Sequence, residues 1–488
     1  MKLYPMRKKS LHAYTKALLE RVFDQCLGKT LGQVDSKGVF KITEDKPKIT
    51  GIAGMVIEQS VLGYDADSRQ EADLEVDGKA VELKTTGMRL TRTVPPVYEA
   101  KEPMSITAVS PKNIVTETFA TSHFWGKLER MLLVYYLYAA EGTVPAAAYA
   151  NFPIKGYEFH EFTAQDKKIL EQDWTIVRDF IHRLQQEYGG ECESQYPRLS
   201  HELRKELLFI DTAPKWPNPP RFRLKRSVVS TIVQKHFGKR LEQLPQKYSS
   251  FAQIDDKLRK LTKRYGGKTI GRLAASFHIK PSKSAAEQFV VHMFGGKSKK
   301  MSGIELFQEI GLCCKSITLT KRGTRTEDMK LFTLDFEAIR TETFEESAIR
   351  EYFASQQMLC VVFEEPSTEA PLVKNKFVGF KRLVFDDDFI EREVRPVWER
   401  IRDLIVNDKL RDEVVCSKLG LPIYNPKSGT KRTVPNFPKS SEGIIFVRGT
   451  GTDASDKPLC VNGIHMLRQN LWIKGSYIAK RLEDTPFI

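Results

Sequence analysis

Three side chains suited to a hydrolytic metal site stand close together in ADLEVDGKAVELKTT, residues 72–86. Asp73 and Glu82 are carboxylates, the hard oxygen ligands that cations such as Mg²⁺ prefer. Lys84 follows Glu82 by two positions, so on a β-strand both side chains point to one face, while Leu83 faces the core and offers its backbone carbonyl as a further ligand. The pattern predicts a cation site for phosphodiester hydrolysis, in which Lys84 orients the attacking water or stabilises transition-state charge.

A turn and a helix are predicted to bring these groups together. Asp77-Gly78, between short runs with alternating apolar residues, is a strong hairpin signal. Just upstream, residues 52–64 have the apolar spacing of a helix and carry Glu58, which offers another carboxylate. Since 28% of the chain is charged, a solvated strand edge produces the same acidic pattern, and the hairpin alone leaves both interpretations open.

Further strands and helices indicate an α/β fold. Strands are predicted at MSITAVS and MLLVYYLYA, and a long helix over residues 164–188. A first helix is predicted with Ser10 as its cap and with Leu11 and Tyr14 on its apolar face. Strands mixed with helices in this order are typical of α/β layering.

Short segments recur in the same order in the two halves of the chain. GKTLGQ returns as GKTIGR, IEQSVLG as AEQFVVHMFG, DWTIVRDFI as VWERIRDLI, and RFRLKRSVVSTIV resembles QNLWIKGSYIAKRL. Four ordered matches predict a duplicated domain. We divide the chain into a first domain over residues 1–237, a charged linker over 238–266 and a second domain over 267–488.

The second copy lacks most of the acidic set. Its Cys313-Cys314-Lys315 aligns with Glu82-Leu83-Lys84, and no acid stands where Asp73 maps. Glu287 and Lys315 persist, but a copy without these acids is not expected to hold the same metal. The chemistry is therefore predicted in the first half, and the second half is expected to bind DNA or brace its partner.

Both GKT tripeptides are too short for a phosphate-binding loop. That loop needs a glycine five residues before the Gly-Lys pair, where this chain has Phe23 and Thr262. The pattern disfavours a Walker-type ATPase and predicts a turn before a helix at each site.

The bulk composition favours a polyanionic partner. The 488 residues carry a formal net charge of +15, which suits nucleic acid, although a basic soluble surface remains the alternative. The seven scattered cysteines contain no C-x-x-C pair and are predicted to be reduced thiols of a cytoplasmic protein. The longest apolar run, residues 131–140, is too short to span a bilayer, so no membrane partner is expected.

The helix glutamate followed by Asp-x8-Glu-Leu-Lys resembles the nuclease motif of the PD-(D/E)XK superfamily, particularly MutH and the Sau-type, GATC-cutting type II restriction endonucleases. The resemblance extends to ETFATSHFWGKLERMLLV and covers most of residues 10–235, and the duplicated layout resembles the Sau-type enzymes over essentially the whole chain. It implies two tandem MutH-like, restriction-endonuclease-like domains with mixed central sheets flanked by helices. The second domain would be a degenerate DNA-binding or allosteric copy.

The resemblance also assigns roles to residues. It implies that Glu58, Asp73 and Glu82 are ligands of Mg²⁺, that Lys84 is the catalytic lysine, and that Lys127 assists at the scissile phosphate. Glu102 falls where MutH has a functional glutamate and is assigned to the DNA-binding set. His123, in the matched TSH segment, is interpreted as a structural hydrogen-bonding residue. The spacing from Asp73 to Glu82 is two residues longer than is usual in the family.

A basic segment around residue 223 is the candidate DNA-contacting surface, since cations there would meet phosphates or guanine. A solvated basic strand edge is the alternative. Arg223 stands where MutH has a tyrosine implicated in sensing adenine methylation, which leaves the methylation response open. The predicted DNA-binding residues of this segment are Arg221, Phe222, Arg223, Lys225 and Arg226.

The sequence thus predicts a Mg²⁺-dependent type II restriction endonuclease that cleaves double-stranded DNA at a GATC-like site and leaves 5′-phosphate and 3′-hydroxyl ends. Dimerisation on DNA and a cognate DNA methyltransferase are the expected partners. Two alternatives stay open: a MutH-type strand-nicking repair endonuclease, and a non-catalytic DNA-binding regulator.

Overall fold

A computed structural model describes residues 12–64, 72–91, 95–140, 143–213, 220–282, 284–324, 327–367, 369–417, 419–426, 429–451, 453 and 456–488. The strands are β1 (Ala13–Tyr14), β2 (Leu74–Val76), β3 (Lys79–Leu90), β4 (Tyr98–Ala100), β5 (Met104–Ala108), β6 (Met131–Leu137), β7 (Ile154–His160), β8 (Ile210–Asp211), β9 (Arg221–Leu224), β10 (Leu312–Leu319), β11 (Met329–Thr333), β12 (Gln357–Glu364), β13 (Lys376–Leu383), β14 (Asp412–Val414), β15 (Thr433–Pro435), β16 (Ile445–Thr450), β17 (Leu459–Val461), β18 (Ile464–Met466) and β19 (Arg468–Ile473).

The α-helices are α1 (Lys16–Asp24), α2 (Leu31–Val34), α3 (Ile42–Asp45), α4 (Ile52–Val56), α5 (Pro111–Ile114), α6 (His123–Leu128), α7 (Ala164–Tyr188), α8 (Arg198–Glu202), α9 (Arg226–His236), α10 (Phe251–Tyr265), α11 (Ile270–Phe277), α12 (Ala285–Met293), α13 (Glu305–Glu309), α14 (Phe336–Thr341), α15 (Ala348–Ser355), α16 (Asp387–Phe389), α17 (Arg395–Val406) and α18 (Gly475–Glu483). Single π-helical turns cover Ile57–Val61 and Ile390–Val394. The 3₁₀ turns cover Val39–Lys41, Phe119–Thr121, Ala146–Asn151, Gly189–Gln195, Leu203–Lys205, Met301–Gly303 and Leu372–Lys374.

The sheet that carries the acidic hairpin has six strands in the order β1-β2-β3-β6-β7, with β4 paired to β3. β3 and β6 are parallel, whereas β2 pairs with β3 and β7 with β6 in the antiparallel sense. Nearly every residue of β6 is buried, as its continuous apolar run predicts for a central strand. The predicted strands at MSITAVS and MLLVYYLYA and the long helix over residues 164–188 are confirmed as β5, β6 and α7.

The hairpin forms at the predicted turn. Asp77 and Gly78 both have positive φ, 47° and 76°, the conformation of a two-residue type I′ turn, and they join β2 to β3. The first helix begins at Lys16, because the hydroxyl of Thr15 accepts from the backbone N–H of Leu18 and caps it there. The predicted helical position of Tyr14 is therefore wrong, since Tyr14 pairs with Val76 as part of β1. Ser10 and Leu11 lie outside the described residues.

The order of strands in the first half recurs in the second. The parallel pair β10–β12 and the antiparallel pair β12–β13 repeat β3–β6 and β6–β7. The small sheet β5-β9-β8 has its counterpart in β11-β19-β16, and α9 and α18 follow the equivalent strands. The two parallel pairs also share their register, because Glu82 stands opposite Met131 and Cys313 opposite Met358.

The two GKT tripeptides adopt the same local structure. Gly28 and Gly267 have φ of 79° and 75°, and their N–H groups donate to the carbonyls of Ile154 and Phe377 at 2.9 and 2.8 Å. The threonine of each tripeptide then caps the helix that follows, α2 or α11. The interpretation of each tripeptide as a turn before a helix is confirmed.

The predicted linker contains a packed helix. Within residues 238–266, α10 lies against β13, and Asp255 pairs with Arg382 of that strand at 2.9 Å. One apolar cluster runs from Leu133 of β6 through α10 to Phe363 of β12. The buried residues of α10 are Phe251, Ile254, Leu258, Leu261 and Tyr265. The α/β class with mixed sheets is thus confirmed, while the division into tandem domains stays a prediction.

All seven cysteines are free thiols. Of the helices in the part of the chain that the structure describes, none combines the length and the apolar character needed to cross a membrane.

Candidate active site

β3 presents Glu82 and Lys84 on the same face of the sheet. Glu82 is only 1% exposed, and its Oε1 accepts from Nζ of Lys84 at 2.7 Å. Leu83, between them, packs on the opposite side in a cluster with Leu132. The alternation of the strand therefore separates a polar face from a core face, and it leaves the backbone of Leu83 beside both charged side chains.

Asp73 lies directly before β2 and is fixed across the hairpin. Its Oδ2 accepts from the backbone N–H of Leu83 at 2.9 Å. Burial and then the negative charge of Glu82 raise the pKa of Asp73 above its ordinary value, whereas the cations of Lys84 and Lys127 act in the opposite direction. The two carboxylates thus lie close enough to repel each other, an arrangement that an additional cation would relieve.

Lys127 reaches the same carboxylate from a different element. α6 starts at its N-cap Ser122, whose hydroxyl accepts from the backbone N–H of Trp125, and the helix buries Phe124 and Leu128. This packing leaves Lys127 on the polar side, where Nζ lies 2.9 and 3.0 Å from the two oxygens of Glu82. A strand and a helix that are distant in sequence therefore converge on one buried carboxylate.

These side chains line one cleft of about 650 Å³. Glu58 enters it from the π-helical turn Ile57–Val61, a local geometry often associated with functional sites. The floor is apolar and includes Ile106, Phe124 and Trp174. The charged and imidazole side chains that line the cleft are Glu58, Asp73, Glu82, Lys84, Glu117, His123, Lys127 and Arg221.

Tyr64 lies near all three carboxylates of the cleft and is affected by their charges. Burial raises the pKa of its hydroxyl, and the charges of Glu58, Asp73 and Glu82 raise that pKa further. Among the described residues this buried hydroxyl has no hydrogen-bond partner. A phenol surrounded by three acids marks a region where negative charge is concentrated.

The donor set suits a hard divalent cation. Carboxylate oxygens and the carbonyl of Leu83 are the ligand types that Mg²⁺ takes. In the described part of the chain, however, no three His, Cys, Asp or Glu side chains stand close enough together to hold a metal as they are placed. Both oxygens of Glu82 accept from ammonium groups, and Oδ2 of Asp73 accepts from the backbone N–H of Leu83.

The residues of the predicted DNA-binding segment differ in how far they are buried. Arg221, at the start of β9, is exposed and lines the cleft. Phe222 is 2% exposed and packs its ring 4.7 Å from that of Phe124, so it supports the cleft floor. Arg223 makes two hydrogen bonds to Asp211, at 2.7 and 3.0 Å. Of these three residues, Arg221 alone presents its charge to the cleft.

Of the last two basic residues of the segment, Lys225 is buried and Arg226 is 22% exposed. Nζ of Lys225 donates to the carbonyl of Leu207, and burial lowers the pKa of Lys225 to about 8. Nε of Arg226 donates to the carbonyl of Ala100 at 2.7 Å, and its guanidinium lies 2.7 Å from Glu99. The structure thus gives both side chains internal partners, and both line a second cavity of about 570 Å³, separate from the acidic cleft.

Glu102 lies apart from the cleft. Its side chain is 62% exposed, and it lines a separate cavity of about 260 Å³ together with residues of the second half such as Arg350. The structure therefore brings Glu58, Asp73, Glu82, Lys84 and Lys127 together and leaves Glu102 at the junction of the two halves.

The sequence did not single out Glu117, and it assigned His123 a structural role. In the structure both line the cleft, and Nδ1 of His123 lies 2.9 Å from Oε1 of Glu117. The signal available in the sequence was their presence in the ETFATSH segment, just before the helix that carries Lys127.

The equivalent surface of the second half is not acidic. Cys313 occupies the register position of Glu82, and Lys315 donates to the backbone carbonyl of Lys330 at 3.3 Å. Glu287 accepts from the backbone N–H of Met301 at 2.8 Å. The strand positions are preserved, but the carboxylates of the hairpin have no counterparts on β10.

Two comparisons with known proteins found similarities to this chain. Residues 62–173 match the family described as the DNA mismatch repair enzyme MutH, and this range contains Asp73, Glu82, Lys84 and Lys127. The chain is also 23% identical over 475 residues to the type II restriction enzyme Sau3AI of Staphylococcus aureus. The aligned region covers 87% of this chain and 90% of that protein. The second similarity therefore extends well into the second half.

Proposed function

Because this chain belongs to the MutH/Sau-type family of restriction endonucleases, we propose that it is a Mg²⁺-dependent, sequence-specific endonuclease that cleaves double-stranded DNA. The products would carry 5′-phosphate and 3′-hydroxyl ends, and the expected target is a GATC-like site. The observation that supports this most directly is the convergence of Asp73, Glu82, Lys84 and Lys127 in one cleft. Carboxylates beside lysines are what metal-assisted hydrolysis of a phosphodiester needs.

In this proposal the carboxylates of Glu58, Asp73 and Glu82 and the carbonyl of Leu83 would hold the metal. When bound, Mg²⁺ would lower the pKa of a water molecule and neutralise charge on the phosphate. The N–H of Leu83 keeps the carboxylate of Asp73 oriented, and the burial of Glu82 keeps water away from its oxygens.

The two lysines are proposed to act on the substrate once they leave Glu82. Lys84, beside Glu82 on β3, would orient the attacking water. Lys127, on the opposite side of Glu82, would contact the scissile phosphate. Both ammonium groups are mostly buried, with 21% and 15% of their side chains exposed, so their charges act in a poorly screened environment.

The DNA backbone would enter along the open side of the cleft, where Arg221 is exposed. We retain Arg221 as the DNA-contacting member of the basic segment. Arg223, Lys225 and Arg226 instead hold β9 and α9 in place through Asp211, Leu207 and Glu99. Glu102, which lies at the junction of the two halves and not in the cleft, is kept as a proposed DNA-binding residue of that separate surface.

The second half is proposed to be a degenerate copy that binds DNA or supports the first half. The repeated strand order and the replacement of Glu82 by Cys313 support this proposal. Because one active centre cuts one strand, cleavage of both strands would use two chains on the DNA or two successive cuts. A DNA methyltransferase of the same system would protect the host site.

A strand-nicking repair endonuclease is the second candidate, since the MutH-family match lies within the first half. The similarity to Sau3AI, which includes the second half, favours the restriction enzyme. A non-catalytic DNA-binding regulator would leave DNA intact.

Incubation of supercoiled plasmid with the purified chain distinguishes these functions. With Mg²⁺ we expect discrete linear fragments, and with chelator, or with Glu82→Ala, intact plasmid. Nicked circles alone would support the repair enzyme, and a gel shift without cleavage would support the regulator. Sequencing of the fragment ends identifies the target site.

A further inference from the structure

His123 is held in a fixed orientation at the edge of the cleft. Its Nδ1 lies 2.9 Å from Oε1 of Glu117, a carboxylate that is only 20% exposed, whereas the histidine side chain is 50% exposed. With Nδ1 engaged, the ring nitrogen Nε2 is the one left to meet a substrate. This arrangement, in which a carboxylate orients an imidazole, is the usual structural basis of a histidine that transfers protons.

The position of His123 relates it to the lysine of the same helix. His123 is the first residue of α6 and Lys127 lies four positions later, so the two occupy one helical face with Cβ atoms about 5–6 Å apart. Phe124 and Leu128 pack inward. The face toward the cleft thus carries an ammonium group beside Glu82 and, one turn away, an imidazole.

We propose that His123, oriented by Glu117, is the general acid that protonates the leaving 3′-oxygen. This inference rests on the proposed endonuclease activity. In the step, the oxygen of water bonds to phosphorus and its proton passes to solvent. The bond from phosphorus to O3′ breaks with its electron pair on O3′, and the proton on Nε2 of the imidazolium is transferred to that oxygen. The neutral imidazole then regains a proton from solvent.

The cleft around His123 carries charges of both signs. Four carboxylates and three cations line the cleft around His123. The carboxylates are Glu58, Asp73, Glu82 and Glu117, and the cations are Lys84, Lys127 and Arg221. The carboxylates outnumber the cations, and the hydrogen-bond partner of the ring, Glu117, is one of them.

The test is the pH dependence of single-turnover cleavage in the full chain with Mg²⁺, between about pH 5.5 and 8.5. For the wild type, the step predicts a rate that falls as His123 loses its proton. For His123→Gln we expect a rate about 10²-fold lower without that falling limb. For Glu117→Gln we expect a smaller loss of rate, about 10-fold, because the imidazole is still present but its carboxylate partner is gone.

His182→Gln is the matched control, since that histidine is exposed on α7 and contacts Gln186. Circular dichroism checks that each variant is folded, and DNA affinity is measured with Ca²⁺ in place of Mg²⁺. The inference is overturned if His123→Gln cleaves within about threefold of the wild type, or if it loses affinity while keeping the wild-type pH profile. A wild-type chain that binds but never cleaves DNA refutes the proposed function itself, and a cleaving wild type with an unaffected His123→Gln refutes only this inference.

Discussion

Lys127 donates to both carboxylate oxygens of Glu82, at 2.9 and 3.0 Å, and so joins α6 to β3. Because Glu82 is 1% exposed, removal of Lys127 leaves a buried carboxylate with Lys84 as its remaining cation. Lys127→Met and Glu82→Gln are each expected to lower the free energy of unfolding. Their double-mutant cycle, measured by urea unfolding, should give a coupling of about 1–3 kcal/mol.

The control for this cycle is the pair Lys16 and Glu20, whose side chains are 54% and 46% exposed. This surface pair should show no measurable coupling. Additive effects of Lys127→Met and Glu82→Gln would contradict a direct interaction between them.

Lys84 and Lys315 occupy the same register position in the two parallel strand pairs and therefore form a matched pair for mutation. Lys84→Ala is expected to reduce cleavage by about 10²–10³-fold, because it removes a cation from the acidic cleft. Lys315→Ala should leave the rate unchanged, since its strand carries Cys313 in place of the glutamate. Plasmid cleavage rates measure both, and equal losses would refute the assignment of chemistry to the first half.

Arg221 and Arg223 differ in their partners although they lie two positions apart on β9. Arg221→Ala is expected to weaken DNA binding and to reduce the slope of log affinity against log salt by about one. Arg223→Ala removes two hydrogen bonds to Asp211 and should instead lower the melting temperature. Fluorescence anisotropy at several salt concentrations measures the slope. The reverse pattern, with Arg223 controlling the slope, would refute the division of this segment.

Gly78 lies at the turn that sets the register of Glu82. Its φ is 76° and an added Cβ would meet no atom within 4 Å, so Gly78→Ala introduces backbone strain without a clash. We expect the free energy of unfolding to fall by about 1–2 kcal/mol. In Gly126→Ala, which also meets no atom within 4 Å, the residue is helical, and we expect a gain of about 0.5–1 kcal/mol. Equal effects in denaturant titrations would show that the sign of φ does not matter here.

Glu309 gives stability a pH dependence. Burial, followed by the charges of Asp166 and Glu305, raises the pKa of its carboxyl from 4.5 to about 9. The folded chain therefore holds this proton more tightly than the unfolded chain does. The stabilising effect is complete below about pH 4.5 and is lost as the pH rises toward 9.

Glu309→Gln removes this ionisation. Between pH 5 and pH 8 the wild type should lose about 1–3 kcal/mol more stability than the variant. Urea unfolding at the two pH values measures the difference. Parallel pH profiles of the two proteins would contradict the raised pKa.

The local patterns of the site were accessible from the sequence. Asp77-Gly78 encodes its turn through the tolerance of both residues for positive φ, and the two-residue alternation placed Glu82 and Lys84 on one face. Burial of the basic segment was not accessible. Lys225 is enclosed by Leu207 and by elements far along the chain, and spacing within RFRLKRS contains no information about that enclosure.

The same limit applies to Glu117 and to the predicted linker. The carboxylate that orients His123 precedes α6, and its position depends on how that helix packs. α10 was interpreted as a connection because of its charge, yet its apolar residues repeat at helical spacing and are buried. In both cases tertiary packing decided the role of residues whose local pattern was ambiguous.

The apolar cluster that runs from Leu133 through α10 to Phe363 has a genetic consequence. A chain truncated by a stop codon after residue 237 would expose the apolar surface that α10 and β12 cover and would lose their packing. A stop codon between the two halves is therefore expected to lower the stability of the half that carries Glu82, although the lost half has Cys313 at the equivalent position.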